Sequence, residues 1–129
     1  MITLDSHIVL WMAFSPAKLS PVALKAIEEA ESSQVLPAIS AAVLYELVYT
    51  VRKGRVKLDV PAETFFARVR SRFRIVSVTA ELALIAARLD RFHGDPMDRL
   101  ITATAILENL PLVTFDRKIR DSNACKTIW

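Results

Sequence analysis

Short β-branched apolar runs alternate along this chain with helix-patterned segments. The connections between them are too short for anything but a layered α/β arrangement. Met1 to Leu4 reads as a first strand ended by Asp5, Val35 to Ile39 as a second and Ile75 to Val78 as a third. Leu112 to Phe115 reads as a fourth ending at Asp116, with a short terminal strand over Thr127 to Trp129. Pro37 makes the second run a short or edge strand, because proline cannot donate to a ladder. The expected fold is a three-layer α/β/α sandwich filling residues 1–129 as one domain, with a central, mostly parallel sheet of four to five strands.

The helices carry their own boundary signals. Ser20 and Pro21 supply an N-cap and first-turn proline for a helix to about Ser32. Ser40 caps a helix in which Val43, Leu44, Leu47, Val48 and Val51 recur at helical spacing, and Gly54 is placed to end it in a left-handed conformation. Pro61 opens a helix to about Phe73, and Thr79 caps one ending near Gly94. Asp95 and Pro96 start another to about Asn109, so apolar through Leu100, Ile101, Ala103, Ala105, Ile106 and Leu107 that it must be buried on most sides. The run Ile8 to Met12 is too uniformly apolar to be amphipathic, which predicts a first helix packed against the sheet or a partner.

With 53% apolar residues, two Gly and six Pro among 129, the chain can bury a core, and disordered and low-complexity classes are excluded. The single cysteine, Cys125, rules out an internal disulfide or a cysteine zinc cluster. It reads as a small apolar filler in a reducing compartment. No apolar run approaches the roughly 20 residues of a membrane span, so a soluble, cytoplasmic protein is expected. The net charge of +3 is unevenly spread. Arg52, Lys53, Arg55, Lys57, Arg68, Arg70, Arg72 and Arg74 face only Asp59 and Glu63 in the middle of the chain, while the remainder is net acidic. Such a segment suits a polyanion held near a carboxylate site, or equally a solvated arginine-rich helix face.

Asp5 and Asp116 each follow a strand and so project from the carboxyl edge of the sheet, where open α/β folds bind ligands. Glu46 and Asp98 fall in the first turns of helices that would start at the same edge. Converging carboxylates repel one another, and a divalent cation is the natural remedy. Oxygen-only donors point to Mg2+ or Mn2+, and thus to metal-activated water and phosphodiester hydrolysis. Each acid also has a plainer role. Asp95 with Pro96 and Asp98 fits a helix start, Asp5 and Asp116 fit strand-ending turns, and Glu46 fits an exposed helix position. His7 and His93 suggest metal-free acid–base cleavage less well, since His7 fits a helix start and His93 precedes a helix-ending glycine.

Four segments carry a family resemblance. Leu4-Asp5-Ser6-His7 with Trp11, Ser40 through Tyr45-Glu46-Leu47, the run from Gly94-Asp95-Pro96-Met97-Asp98-Arg99 to Ala105, and Leu112-Val113-Thr114-Phe115-Asp116 resemble, in order, the four motifs of PIN-domain proteins. Specifically, they resemble the VapC-type toxin ribonucleases of toxin–antitoxin pairs. Ser6 stands where Thr is usual, and Tyr45 where Trp is common. The resemblance implies a PIN-like sandwich in which Asp5, Glu46, Asp98 and Asp116 hold Mg2+ or Mn2+, directly or through waters. It implies Asp95 as a helper and Ser6 and Thr114 as orienting groups. Arg99 would brace the carboxylates, touch RNA or form a structural salt bridge. The implied activity is endoribonucleolytic, leaving a 5′-phosphate and a 3′-hydroxyl. The implied partners are RNA, a VapB-like antitoxin whose tail covers the site, and a second copy in a homodimer or higher assembly; the Ile8–Phe14 run with Leu24 and Ile27 would supply apolar contact. The alternative is a non-catalytic PIN-fold RNA-binding or regulatory domain. A phospho-receiver is a poor fit, because Ser40 and Thr79 follow the second and third strands where a phosphoacceptor Asp and a Lys are needed.

Overall fold

The computed structural model describes residues 1–90, 92 and 94–129, so His93 lies outside the described residues. Five strands form one sheet: β1 (Thr3–Leu4), β2 (Ala38–Ser40), β3 (Arg74–Val76), β4 (Leu112–Val113) and β5 (Thr127–Ile128). Their order is β3-β2-β1-β4-β5 and every pairing is parallel. Among the described residues seven α-helices flank it: α1 (Ser6–Phe14), α2 (Pro21–Ser32), α3 (Ala41–Arg52), α4 (Ala62–Arg72), α5 (Ala80–Ala87), α6 (Pro96–Glu108) and α7 (Arg117–Ser122). This is the expected α/β/α sandwich. Among the described residues no helix is long and apolar enough to cross a membrane.

Side-chain caps set most of the helix starts. Ser20 Oγ accepts from Ala23 N–H at 3.1 Å, Ser40 Oγ from Ala42 N–H at 3.2 Å, and Thr79 Oγ1 from Leu82 N–H at 3.2 Å. Gly54, with φ +68°, closes α3 through two backbone bonds, from its own N–H to the Val51 carbonyl and from Arg55 N–H to the Thr50 carbonyl.

Strand residues sort the core to the two faces of the sheet. Ala38 packs in a small cluster with Val76, Leu82, Ala86 and Ala103, under α5 and α6. Its neighbour Ile39 packs in the larger one with Leu4, Ile8, Ile27, Val43, Leu47, Phe65 and Ile119. Helix α6 runs buried from Ile101 to Ala105, as its composition requires.

Four expectations need correction. β2 is short, as Pro37 suggests, but it is an interior strand with β1 and β3 as neighbours and not an edge. Pro37 stands just before the paired residues, so the ladder never needs its missing N–H, and its carbonyl accepts from Arg74 N–H at 2.9 Å. α5 stops at Ala87, well short of Gly94. The Arg99 guanidinium donates to the Ala86 carbonyl at 2.8 Å and the Phe92 carbonyl at 3.1 Å, taking an acceptor that a longer helix would use itself. α1 is only half buried: Ser6, Ile8 and Val9 face the core, while Phe14 is exposed. Finally, α7 follows Asp116 where the sequence pattern shows only a strand end.

Truncating Ile101, which is fully buried in the larger core cluster, to Ala should destabilise the fold by about 2–5 kcal/mol. Urea unfolding should show a lower midpoint at an unchanged slope; an unchanged midpoint would remove α6 from the core.

Candidate active site

The chain builds β1, β2 and β3 outward in one direction and then returns to add β4 on the other side of β1. The crevice at that reversal, at the carboxyl ends of β1 and β4, is where open parallel sheets bind ligands. Thr3 pairs with Leu112 and Leu4 with Val113, so the next residues in register are Asp5 and Thr114. Their side chains meet: Thr114 Oγ1 donates to Asp5 Oδ2 at 2.7 Å. The same hydroxyl oxygen accepts from Asp116 N–H at 3.1 Å, tying the end of β4 to the end of β1.

Asp5 is buried, with 3% of its surface exposed, and it caps α1 by accepting from Ser6 N–H at 2.7 Å. Ser6 Oγ lies 2.7 Å from Glu46 Oε1 and 3.2 Å from Asp5 Oδ1. One hydroxyl proton serves one acceptor at a time, and the shorter contact goes to Glu46. Ser6 therefore links α1 to α3 across the site, with the hydroxyl that Thr would also supply.

Asp116 and Asp95 are helix caps as well. Asp116 Oδ1 accepts from Lys118 N–H at 2.7 Å and Ile119 N–H at 3.1 Å at the start of α7. Asp95 Oδ1 accepts from Met97 N–H at 2.9 Å and Asp98 N–H at 3.5 Å at the start of α6. The plain role foreseen for Asp95 thus holds in the structure, and Asp116 caps a helix where a turn was the alternative.

Electrostatics show which acids share the site. Burial, then the negative charges of Asp95, Asp5, Asp116 and Glu46, push the Asp98 carboxyl up to about 7. Glu46 is also raised, by burial first; Asp5 and Asp95 add to this, while the Ser6 hydrogen bond and nearby His7 oppose it. Asp98 therefore lies within electrostatic reach of the other four acids, and Glu46 within reach of Asp5 and Asp95. His7 is exposed and edge-on to Phe115 at 5.1 Å and Trp11 at 6.0 Å. Arg99 holds backbone carbonyls, as described above, and its guanidinium carbon stands 5.7 Å from the centre of the Phe92 ring.

Two open hollows flank these acids. One, of about 410 Å3, is lined by Asp95, Asp98, Phe115, Asp116, Arg117 and Lys118. The other, of about 380 Å3, is lined by Tyr45, Glu46, Tyr49, Thr50, Arg55 and Met97. Arg117 and Lys118 were missed in the sequence, where two basic residues directly after a strand-end acid were the available signal. The basic middle segment divides in space. Arg55 borders the second hollow, whereas Arg72 pairs with Glu31 at 2.5 Å and Arg74 with Glu108 at 2.6 Å. Arg68 and Arg72 line a separate apolar groove of about 310 Å3 between α1 and α4.

The donors are all oxygen and their mutual repulsion calls for a cation, so the donor chemistry fits Mg2+ or Mn2+. Among the described residues, no group of three or more Asp, Glu, His or Cys side chains stands close enough together to hold an ion. Chemistry and spacing thus point in different directions. Burial first and the other four carboxylates second push the Asp98 carboxyl up, and a bound cation would offset both.

Residues 2–123 match the family model described as PIN domain. The chain belongs to the PIN-domain family. This PIN-domain chain is 35% identical over 131 residues to Ribonuclease VapC22 of Mycobacterium tuberculosis, covering 99% of this chain and 98% of the relative. Its fold is that of the Rickettsia felis VapBC2 structure, solved bound to a promoter DNA fragment. The TM-score is 0.74 at 24% identity, over 98% of this chain and 97% of that one. A toxin–antitoxin complex from Klebsiella pneumoniae matches at a TM-score of 0.69 and 19% identity, over 97% and 95%. Within the family the chain is VapC-like.

A carboxyl whose folded pKa is raised contributes stability that is present below its ordinary value of 3.8 and lost as pH rises through about 7. Asp98→Asn should therefore stabilise the chelator-treated protein at pH 8 by about 1–2 kcal/mol, allowing for solvent screening of the half-exposed group. The gain should shrink to nothing by pH 4. Thermal unfolding across that range checks this, and a gain independent of pH would contradict the shared-charge geometry.

Proposed function

We propose that this PIN-domain protein is the toxin of a toxin–antitoxin pair and acts as a Mg2+- or Mn2+-dependent endoribonuclease. The observation that carries the reading is the hydrogen-bonded set at the sheet's reversal point, where Thr114 ties Asp5 to the end of β4 and Ser6 ties Glu46 to the end of β1, with Asp98 half-buried among these acids. Asp5, Glu46, Asp98 and Asp116 are the residues that would hold the ion, with Asp95 beside them. Once bound, the ion would lower the pKa of a water and offset the negative charge that builds on a phosphate oxygen. Ser6 and Thr114 fix the directions of Glu46 and Asp5 through the hydrogen bonds described above. Arg117 and Lys118, at the mouth of the same hollow, are placed to meet phosphates of the RNA strand. Hydrolysis by water would leave a 5′-phosphate and a 3′-hydroxyl.

The ribonuclease name of the Mycobacterium relative and the antitoxin complexes among the structural neighbours support this reading. By the same likeness, a VapB-like antitoxin and a homodimer or higher assembly are the proposed protein partners, in a cytoplasmic setting. The apolar groove between α1 and α4, with exposed Phe14 at its edge, offers them contact area. A second reading is a non-catalytic PIN-fold domain that binds RNA or regulates.

Partner-free protein incubated with RNA should cleave in Mg2+, stop in EDTA, and lose about 100-fold or more of its rate as Asp98→Asn. Cleavage that persists in EDTA would overturn the metal requirement. RNA binding without cleavage in either metal would establish the second reading.

A further inference from the structure

Tyr45 and Tyr49 lie one turn apart on α3 and face solvent, with 58% and 42% of their surfaces exposed. Their rings stack at 6.3 Å with 26° between planes. Neither belongs to the core clusters. The turn that ends α3 adds charge to them. Lys53, one helical turn after Tyr49, lies 5.4 Å from its ring centre, and Gly54 in its left-handed conformation folds the chain back to leave Arg55 5.9 Å from the same centre. Glu46 lines the same hollow as both rings, and so does Met97, one residue before Asp98. Aromatic surface, cations and a catalytic carboxylate thus share one recess.

We infer that Tyr45 and Tyr49, flanked by Lys53 and Arg55, form a base-stacking subsite for a nucleotide next to the scissile phosphate of single-stranded RNA. The inference rests on the endoribonuclease reading and deepens it. Single-strand binders combine these parts: rings that take the faces of bases without regard to sequence, and cations that follow the backbone. The hollow of about 380 Å3 has the size of a small-ligand site. Paired bases hide their faces in the stack, so the subsite selects unpaired RNA. A second copy of this chain suits the face less well. A two-fold contact there would bring Arg52, Lys53, Arg55 and Lys57 toward their own counterparts, whereas a polyanion complements them.

The test is fluorescence anisotropy of a labelled short oligoadenylate in EDTA, which separates binding from cleavage. Tyr45→Ala and Tyr49→Ala should each weaken binding about tenfold, and Tyr→Phe at either position should leave it within about twofold. Replacing the stacked nucleotide by an abasic one should abolish the difference between wild type and the Ala variants. Equal binding by wild type and both Ala variants would overturn the subsite and leave the nuclease reading standing. A wild type that neither binds the RNA nor cleaves it in Mg2+ would overturn both. Light scattering accompanies each variant, and lost affinity that tracks a fall in mass would assign the face to self-association instead.

Discussion

The hydrogen bond from Thr114 to Asp5 joins the ends of the two strands between which the sheet reverses direction. It holds a buried carboxylate whose donors, the Ser6 backbone N–H and the neutral Thr114 hydroxyl, orient it without supplying an opposite charge. Burying a carboxylate without neutralising it is expensive, and proteins accept that expense at sites that handle cations or reactive groups. Two other acids of the site are placed relative to this one. Asp116 follows through the backbone bond to the Thr114 hydroxyl, and Glu46 through the Ser6 hydroxyl.

Three of the five acids are also helix caps, which explains how so short a chain concentrates charge. An N-cap carboxylate accepts hydrogen bonds from the N–H groups of the first turn and faces the positive end of the helix dipole. Asp5, Asp95 and Asp116 thus gain local support from α1, α6 and α7. Asp98, inside the first turn of α6, is half-buried among the others, and burial first and their charges second push its carboxyl up to about 7. Capping and site formation are one arrangement seen on two scales.

Much of this was legible in the sequence, because caps and strand ends are local signals. Ser20, Ser40, Thr79 and the Asp95-Pro96 pair mark helix starts through their own side chains, and Gly54 marks a stop through its backbone. What was not legible depends on partners distant in the chain. α5 ends where Arg99, more than ten residues later, takes its carbonyl. Pro37 reads as an edge signal until the register shows that it sits outside the ladder. α7 is only six residues long and too short to show a periodic face. The Tyr45–Tyr49 pair with Lys53 looks like ordinary helix surface in sequence, since Arg55 reaches the ring through the turn at Gly54.

The central claim is that these carboxylates form one cation-binding unit. Calorimetric titration of Mn2+ into partner-free protein at neutral pH measures it directly. The account predicts saturable binding that Asp5→Asn and Asp98→Asn each weaken about tenfold or more, with both variants still folded. Absent binding, or binding that neither substitution changes, would contradict it.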